Sequence, residues 1–140
     1  MRLSADDFPE VAVAAMHAVH LEEVDMINAI YEMLEDMEAG DSHDGLAGRL
    51  EELLDHTREH FVAEEVLMEQ HHFPPYPVHK AAHDAFLHDM EQMVSGWKVD
   101  QALAPVAQFM RNDLPTWMVE HISTMDFVTA RFVATQPKPT

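Results

Sequence analysis

The chain has no cysteine, which excludes disulfides, thiolate metal sites and cysteine nucleophiles, so that any metal bound here is held by nitrogen and oxygen. Basic residues are few: 8 Lys and Arg stand against 26 Asp and Glu, for a formal net charge of -18. A surface so acidic repels a phosphate backbone or an anionic membrane, and nucleic acid is not expected as a partner. Internally bound cations would offset part of that charge, which directs attention to metal ligands among the acids. No apolar run approaches the roughly 18 residues of a membrane span, and residues 1–10 carry two Asp and no apolar leader-like stretch, so a cytoplasmic protein without a membrane segment is expected. Glycine is also scarce, at 4 of 140 residues, and a chain of that length has room for one domain.

In place of glycine stand Ala, Leu, Met and Glu, which lose little rotamer freedom on a helix. Composition therefore points to an all-α fold. His20, Val24, Ile27, Tyr31 and Leu34 recur at steps of three and four, predicting a first helix over about 13–39 with Gly40 as its stop. After a polar connection, Leu46, Leu50, Leu53, Thr57, His60, Glu64 and Leu67 hold one face of a second helix, which must end before Pro74, Pro75 and Pro77. A third helix carries His79, His83, Phe86, Met90 and Met93 and ends near Gly96. From Asp100 the pattern is helical again, but a single helix to Ala134 would be about 50 Å long against about 30 Å for the third. A break is therefore expected, with Asp113 as cap and Pro115 just inside the new start: a short segment over 101–112, then a fourth helix over 114–134. Residues 1–12 read as an N-terminal arm, 13–134 as the folded domain and 135–140 as a tail.

Three spacings stand out on these helices: His60 with Glu64, His79 with His83, and His121 with Asp126. A step of four puts both side chains on one face, one turn apart, the separation needed to reach a common metal pair. Alone each is weak, and His56 with His60 offers the same spacing as a decoy. What distinguishes the set is that imidazoles and carboxylates occupy positions where the periodicity demands Leu or Ile. Burying an isolated ionised group there costs several kcal/mol. For one histidine, a single core hydrogen bond is a sufficient explanation; for seven such groups on four helices, metal coordination is the simplest partner. The five-residue step from His121 to Asp126 rotates the second side chain by roughly 140° on an ideal helix, so Asp126 must reach in from the flank or the turn must widen.

The chain resembles the hemerythrin family over about residues 13–134. The resemblance is carried by Met16-His17-Ala18-Val19-His20-Leu21-Glu22-Glu23 with Ile27-Asn28, by His60-Phe61 with Glu64-Glu65 and Met68, by His79 and His83, and by Trp117 with His121-Ile122 and Asp126. It implies an up-down-up-down four-helix bundle with a di-iron site in its core. The implied iron ligands are His20, His60, Glu64, His79, His83, His121 and Asp126. Glu64 and Asp126 would bridge two ferrous or ferric ions together with an oxo or hydroxo group. His79, His83 and His121 would complete one iron and His20 and His60 the other, leaving about one of some twelve octahedral positions open on the latter. Phe61, Phe86, Trp117, Met118 and Ile122 are the implied walls of an O2 pocket.

The implied function is reversible O2 binding for storage, buffering or delivery, with nitric oxide as the competing ligand. A non-enzymatic role is expected. The alternatives are a di-iron oxidase, peroxidase or nitric oxide reductase, and an O2 or redox sensor acting through a partner protein. Di-iron carboxylate enzymes take Glu-x-x-His pairs from two helices, whereas here the pattern occurs once, at Glu69 and His72, off the core stripe. Ligand chemistry alone also admits manganese. His17, His43, His56, His71, His72 and His88 match no ligand position; His17 and His56 read as supporting or core residues, His71 and His72 as surface.

Overall fold

The apolar stripes read above close on one another in a computed structural model that describes residues 2–3, 14–42 and 44–135. Helices α1 (Ala14–Glu38), α2 (Leu46–Gln70) and α3 (Tyr76–Asp100) are each 25 residues long, about 37 Å at 1.5 Å per residue. Gly40 ends the first connection's opening turn with φ 101°, a left-handed conformation that costs glycine nothing. Pro75 and Pro77 flank the start of α3, where the missing N–H groups have no helical partner to lose. The helix does not stop at Gly96. Val94 and Trp97 are buried, so the core continues for another turn, and the exit comes at Gln101, left-handed with φ 50° and its N–H on the Trp97 carbonyl at 2.9 Å.

The expected break before the last helix is absent. From Leu103 to Thr135 the chain stays helical through five consecutive segments: α (Leu103–Gln108), π (Phe109–Asp113), α (Leu114–His121), π (Ile122–Asp126) and α (Phe127–Thr135). We call the whole path α4. Asp113 has helical dihedrals, φ -65° and ψ -48°, and caps nothing. Instead of breaking the helix, Pro115 follows the first π turn, whose wider ring gives the proline room and leaves carbonyls without their usual partners. The Tyr31 hydroxyl donates to one of these, Met110 O, at 2.6 Å. Matched helix lengths misled the sequence reading because the extra residues are also used: Val106, Phe109 and Met110 are buried against the bundle.

The core has two sections on one continuous stripe. Ile27, Ile30, Tyr31, Leu34, Leu46, Leu50, Leu53, Met90, Met110 and Leu114 are essentially inaccessible, each contributing roughly 1.5–3 kcal/mol of burial. Beyond them the stripe continues with His20, His60, Glu64, His79, His83, His121 and Asp126, all equally buried. Leu3 also joins the core: its backbone N–H donates to Asn28 Oδ1 at 2.7 Å and its carbonyl accepts from Asn28 Nδ2 at 2.9 Å. The rest of the expected arm and tail, residues 1, 4–12 and 136–140, lies outside the described residues, while Thr135 still belongs to α4. Among the described residues no helix is long and apolar enough to cross a membrane.

Candidate metal centre

Each helix contributes to one buried cluster. α1 supplies His20, α2 supplies His60 and Glu64 from successive turns, and α3 does the same with His79 and His83. On α4 the five-residue step is resolved by the second π turn: Ile122–Asp126 is one wide turn, which brings Asp126 back over His121, with Oδ1 and His121 Nε2 3.0 Å apart.

The donor atoms fall into two groups, each within 4.8 Å of one another. One is His20, His60, Glu64 and Asp126; the other is Glu64, His79, His83, His121 and Asp126. The two carboxylates belong to both, and each turns one oxygen to each side. Asp126 Oδ2 lies 3.0 Å from His20 Nε2, while Oδ1 lies 2.9 Å from His79 Nε2. Glu64 Oε2 bonds His60 Nε2 and Oε1 lies 3.2 Å from His83 Nε2. None of the seven residues is more than 7% exposed.

Outside the cluster, the opposite ring nitrogens are held. His60 Nδ1 meets Glu23 Oε1 at 2.8 Å, His79 Nδ1 meets Thr129 Oγ1 at 2.8 Å, and His83 Nδ1 meets Glu65 Oε2 at 3.0 Å. Thr129 directs its own hydroxyl toward Met68 Sδ, so the His79 ring is the donor in their pair. Protons placed on these outer nitrogens leave Nε2 unprotonated and free to coordinate. Ring stacking fixes two more planes: Phe61 lies 3.8 Å over His83 and Trp117 4.2 Å over His121. Sequence reasoning gave Glu23, Glu65 and Thr129 no role. Thr129 was findable, since a hydroxyl eight residues beyond His121 sits on the same core stripe.

Burial alone would raise the Glu64 carboxyl and lower the imidazoles, but their mutual attraction prevails: Glu64 is held at about 2 by His60 and His79 against burial and the neighbouring Asp126, and Asp126 falls well below its ordinary range. Burial disfavours the charged His79 ring, yet Asp126 and Glu64 push it up to about 9, and Glu23 and Glu64 raise His60 likewise. Protons so held compete directly with a metal.

Two contacts fit a metal better than a hydrogen-bonded cluster. His83 Nε2 and Glu64 Oε1 are buried and face each other without a hydrogen bond, and His79 Nε2 sits 3.0 Å from His121 Nε2, two nitrogens aimed at one point. Cations between these atoms would satisfy all four, and hard-to-borderline divalent ions accept this mixture of imidazole and carboxylate. Beside the cluster is a cavity of about 20 Å³ bounded by His60, His121 and Asp126 and by Phe61, Phe86, Trp117, Met118 and Ile122 among its apolar walls. One water needs roughly 10–15 Å³, so the space suits a single very small molecule. Of the remaining histidines, His56 reaches Glu22 and Glu23, His71 is half-buried with Nδ1 on the Leu67 carbonyl, and His72 is exposed.

The family model described as the hemerythrin HHE cation binding domain matches residues 11–133. A bacteriohemerythrin of Aquifex aeolicus is 31% identical over 118 residues, 83% of this chain and 86% of that protein. A myohemerythrin of Sipunculus nudus is 35% identical over 81 residues, 58% of this chain and 60% of that one. A crystal structure of a hemerythrin point mutant superimposes with a TM-score of 0.77 over 96% of this chain and 98% of the other at 22% identity, a likeness of fold.

Proposed function

The chain belongs to the hemerythrin family, and from that premise we propose that it binds O2 reversibly at a pair of irons, for storage, buffering or delivery. The observation that carries this reading is the sharing of Glu64 and Asp126 by two donor groups, the arrangement that two bridged metal ions require. His79, His83 and His121 would hold one iron, His20 and His60 the other, with Glu64 and Asp126 across both. A ferrous pair held there would supply the electrons for O2 binding. The chain's own residues do the rest. The five imidazoles would coordinate as neutral ligands, their tautomers set on three rings by Glu23, Thr129 and Glu65. Phe61, Phe86, Trp117, Met118 and Ile122 restrict bulk water and limit the ligand to a molecule of a few atoms.

The small cavity, with no room for an organic substrate, and the imidazole-rich donor set support reversible binding over turnover. The test is an anaerobic ferrous sample exposed to air and then to vacuum while its visible charge-transfer absorption is followed. A band that appears in air and disappears under vacuum through repeated cycles is expected. Irreversible bleaching, or steady consumption of O2 with an added reductant, would instead assign the site to a di-iron oxidase.

A further inference from the structure

The cavity wall contains one residue that an apolar pocket does not call for. Glu23, three residues after His20 on α1, is 5% exposed and borders the cavity together with Ile27, Leu53 and Met118. Its Oε1 takes the His60 Nδ1 proton at 2.8 Å and lies 3.4 Å from His56 Nδ1. His56, on the far side from the cavity, is tied by Nε2 to Glu22 at 3.1 Å, so two carboxylates face one imidazole and the group stays net negative. Thr57, the other polar wall residue without a place in the metal cluster, gives its hydroxyl to the Leu53 carbonyl at 2.7 Å and offers the cavity no donor.

We propose that Glu23 orients His60 toward the metal position and puts a fixed negative charge in the cavity wall, so that the cavity admits neutral diatomic molecules and rejects small anions. The inference rests on the O2-binding reading above and adds a residue and a rule of selection to it. Orientation follows because an Nδ1–H tied to a carboxylate leaves Nε2 facing Glu64 and the metal. Selection follows from Coulomb's law: within so small and enclosed a space an anion beside Glu23 meets little screening, while a neutral ligand is unaffected. The carboxylate accepts from His60 Nδ1–H and faces His56 Nδ1, two contacts that favour its charged form.

The two roles separate by substitution. Glu23→Gln keeps an acceptor for His60 and removes the charge; Glu23→Leu removes both. Azide serves as the anionic probe, titrated into the diferric protein by absorbance, and nitric oxide as the neutral probe on the diferrous protein. The ratio of azide affinity to nitric oxide affinity is expected to rise about tenfold or more in Glu23→Gln. Iron content is expected to hold in Glu23→Gln and to fall in Glu23→Leu. A ratio unchanged or lower in Glu23→Gln overturns selection by charge, and full iron in Glu23→Leu overturns the orienting role. A parent chain that does not take up two irons overturns the proposed function itself and this inference with it.

Discussion

On the three-histidine side of the centre every ring is clamped: Thr129 holds His79, Glu65 holds His83, Phe61 covers His83 and Trp117 covers His121. On the two-histidine side only His60 has such a partner, in Glu23; His20 meets His60 edge-on at 5.2 Å, and its Nδ1 has no hydrogen-bond partner among the described residues. Both sides share Glu64 and Asp126, so the difference lies in the surroundings and not in the bridge. In the proposed centre a clamped side would resist change, while a less crowded side with an adjacent cavity would accept a further ligand at small reorganisation cost. On the proposed assignment, anchoring and ligand capture fall on opposite sides of one cluster.

The largest effect should come from breaking the anchored side. His83 is fully buried and stacked under Phe61, so His83→Ala removes a proposed ligand and leaves a hole. We expect loss of at least one iron per chain and a lower melting temperature, because metal-binding free energy is also folding free energy. His20→Ala, on the open side, should lose no more than one iron. Elemental analysis with thermal melting checks both, and full iron with unchanged melting in His83→Ala would falsify the ligand assignment.

Opening the ligand side from its wall comes next. Met118 is 4% exposed and borders the cavity, one turn before His121. Met118→Ala should cost about 2–4 kcal/mol of stability and leave the iron content unchanged, while water entering the enlarged space speeds loss of the oxygenated band in air. Decay no faster than in the parent, at equal iron loading, means Met118 does not guard the ligand position.

Much of this centre was legible in the sequence because burial makes polar residues conspicuous. His20, His60, Glu64, His79, His83, His121 and Asp126 interrupt stripes that otherwise read as Leu, Ile and Met, and the periodicity that predicts the helices also predicts that these seven converge. The π turn at Ile122–Asp126 was half legible: the five-residue step required either a flank approach or a wider turn, and spacing alone did not choose. The π turn at Phe109–Asp113 was not, because a buried proline in the interior of a helix looks the same in sequence as one at its first turn. The outer partners were hidden for another reason. Glu23 and Glu65 stand beside other acids in a chain rich in them, and nothing local marks the one that meets an imidazole 37 or 18 residues away.

A subtler change tests the clamps themselves. Thr129→Val keeps the shape but removes the acceptor for the His79 ring. Loss of such an outer contact typically weakens metal binding 10–100-fold, or about 1.4–2.7 kcal/mol. Chelator competition should show that loss on the three-histidine side, with two irons still bound at saturation. An unchanged chelator midpoint would mean that stacking and packing alone hold the ring.

The smallest effect is expected furthest from the metals, at His56, and it carries a pH signature. His56→Ala should keep both irons, since Glu23 still meets His60 directly at 2.8 Å; loss of iron would mean that His56 and not His60 is the ligand on α2. In the parent, hydrogen bonding to Glu23 raises the His56 pKa above 6.5, against partial burial and with help from Glu22. A raised folded-state pKa contributes stability that is complete below the unfolded value of 6.5 and disappears as pH rises through the folded value. With His56 still partly exposed to solvent, the pair is worth at most about 1 kcal/mol. Melting of parent and His56→Ala, both iron-loaded, should therefore differ by a few degrees at pH 6 and converge as the solution becomes alkaline. A difference that persists at high pH would show that His56 acts through packing and not through its charge.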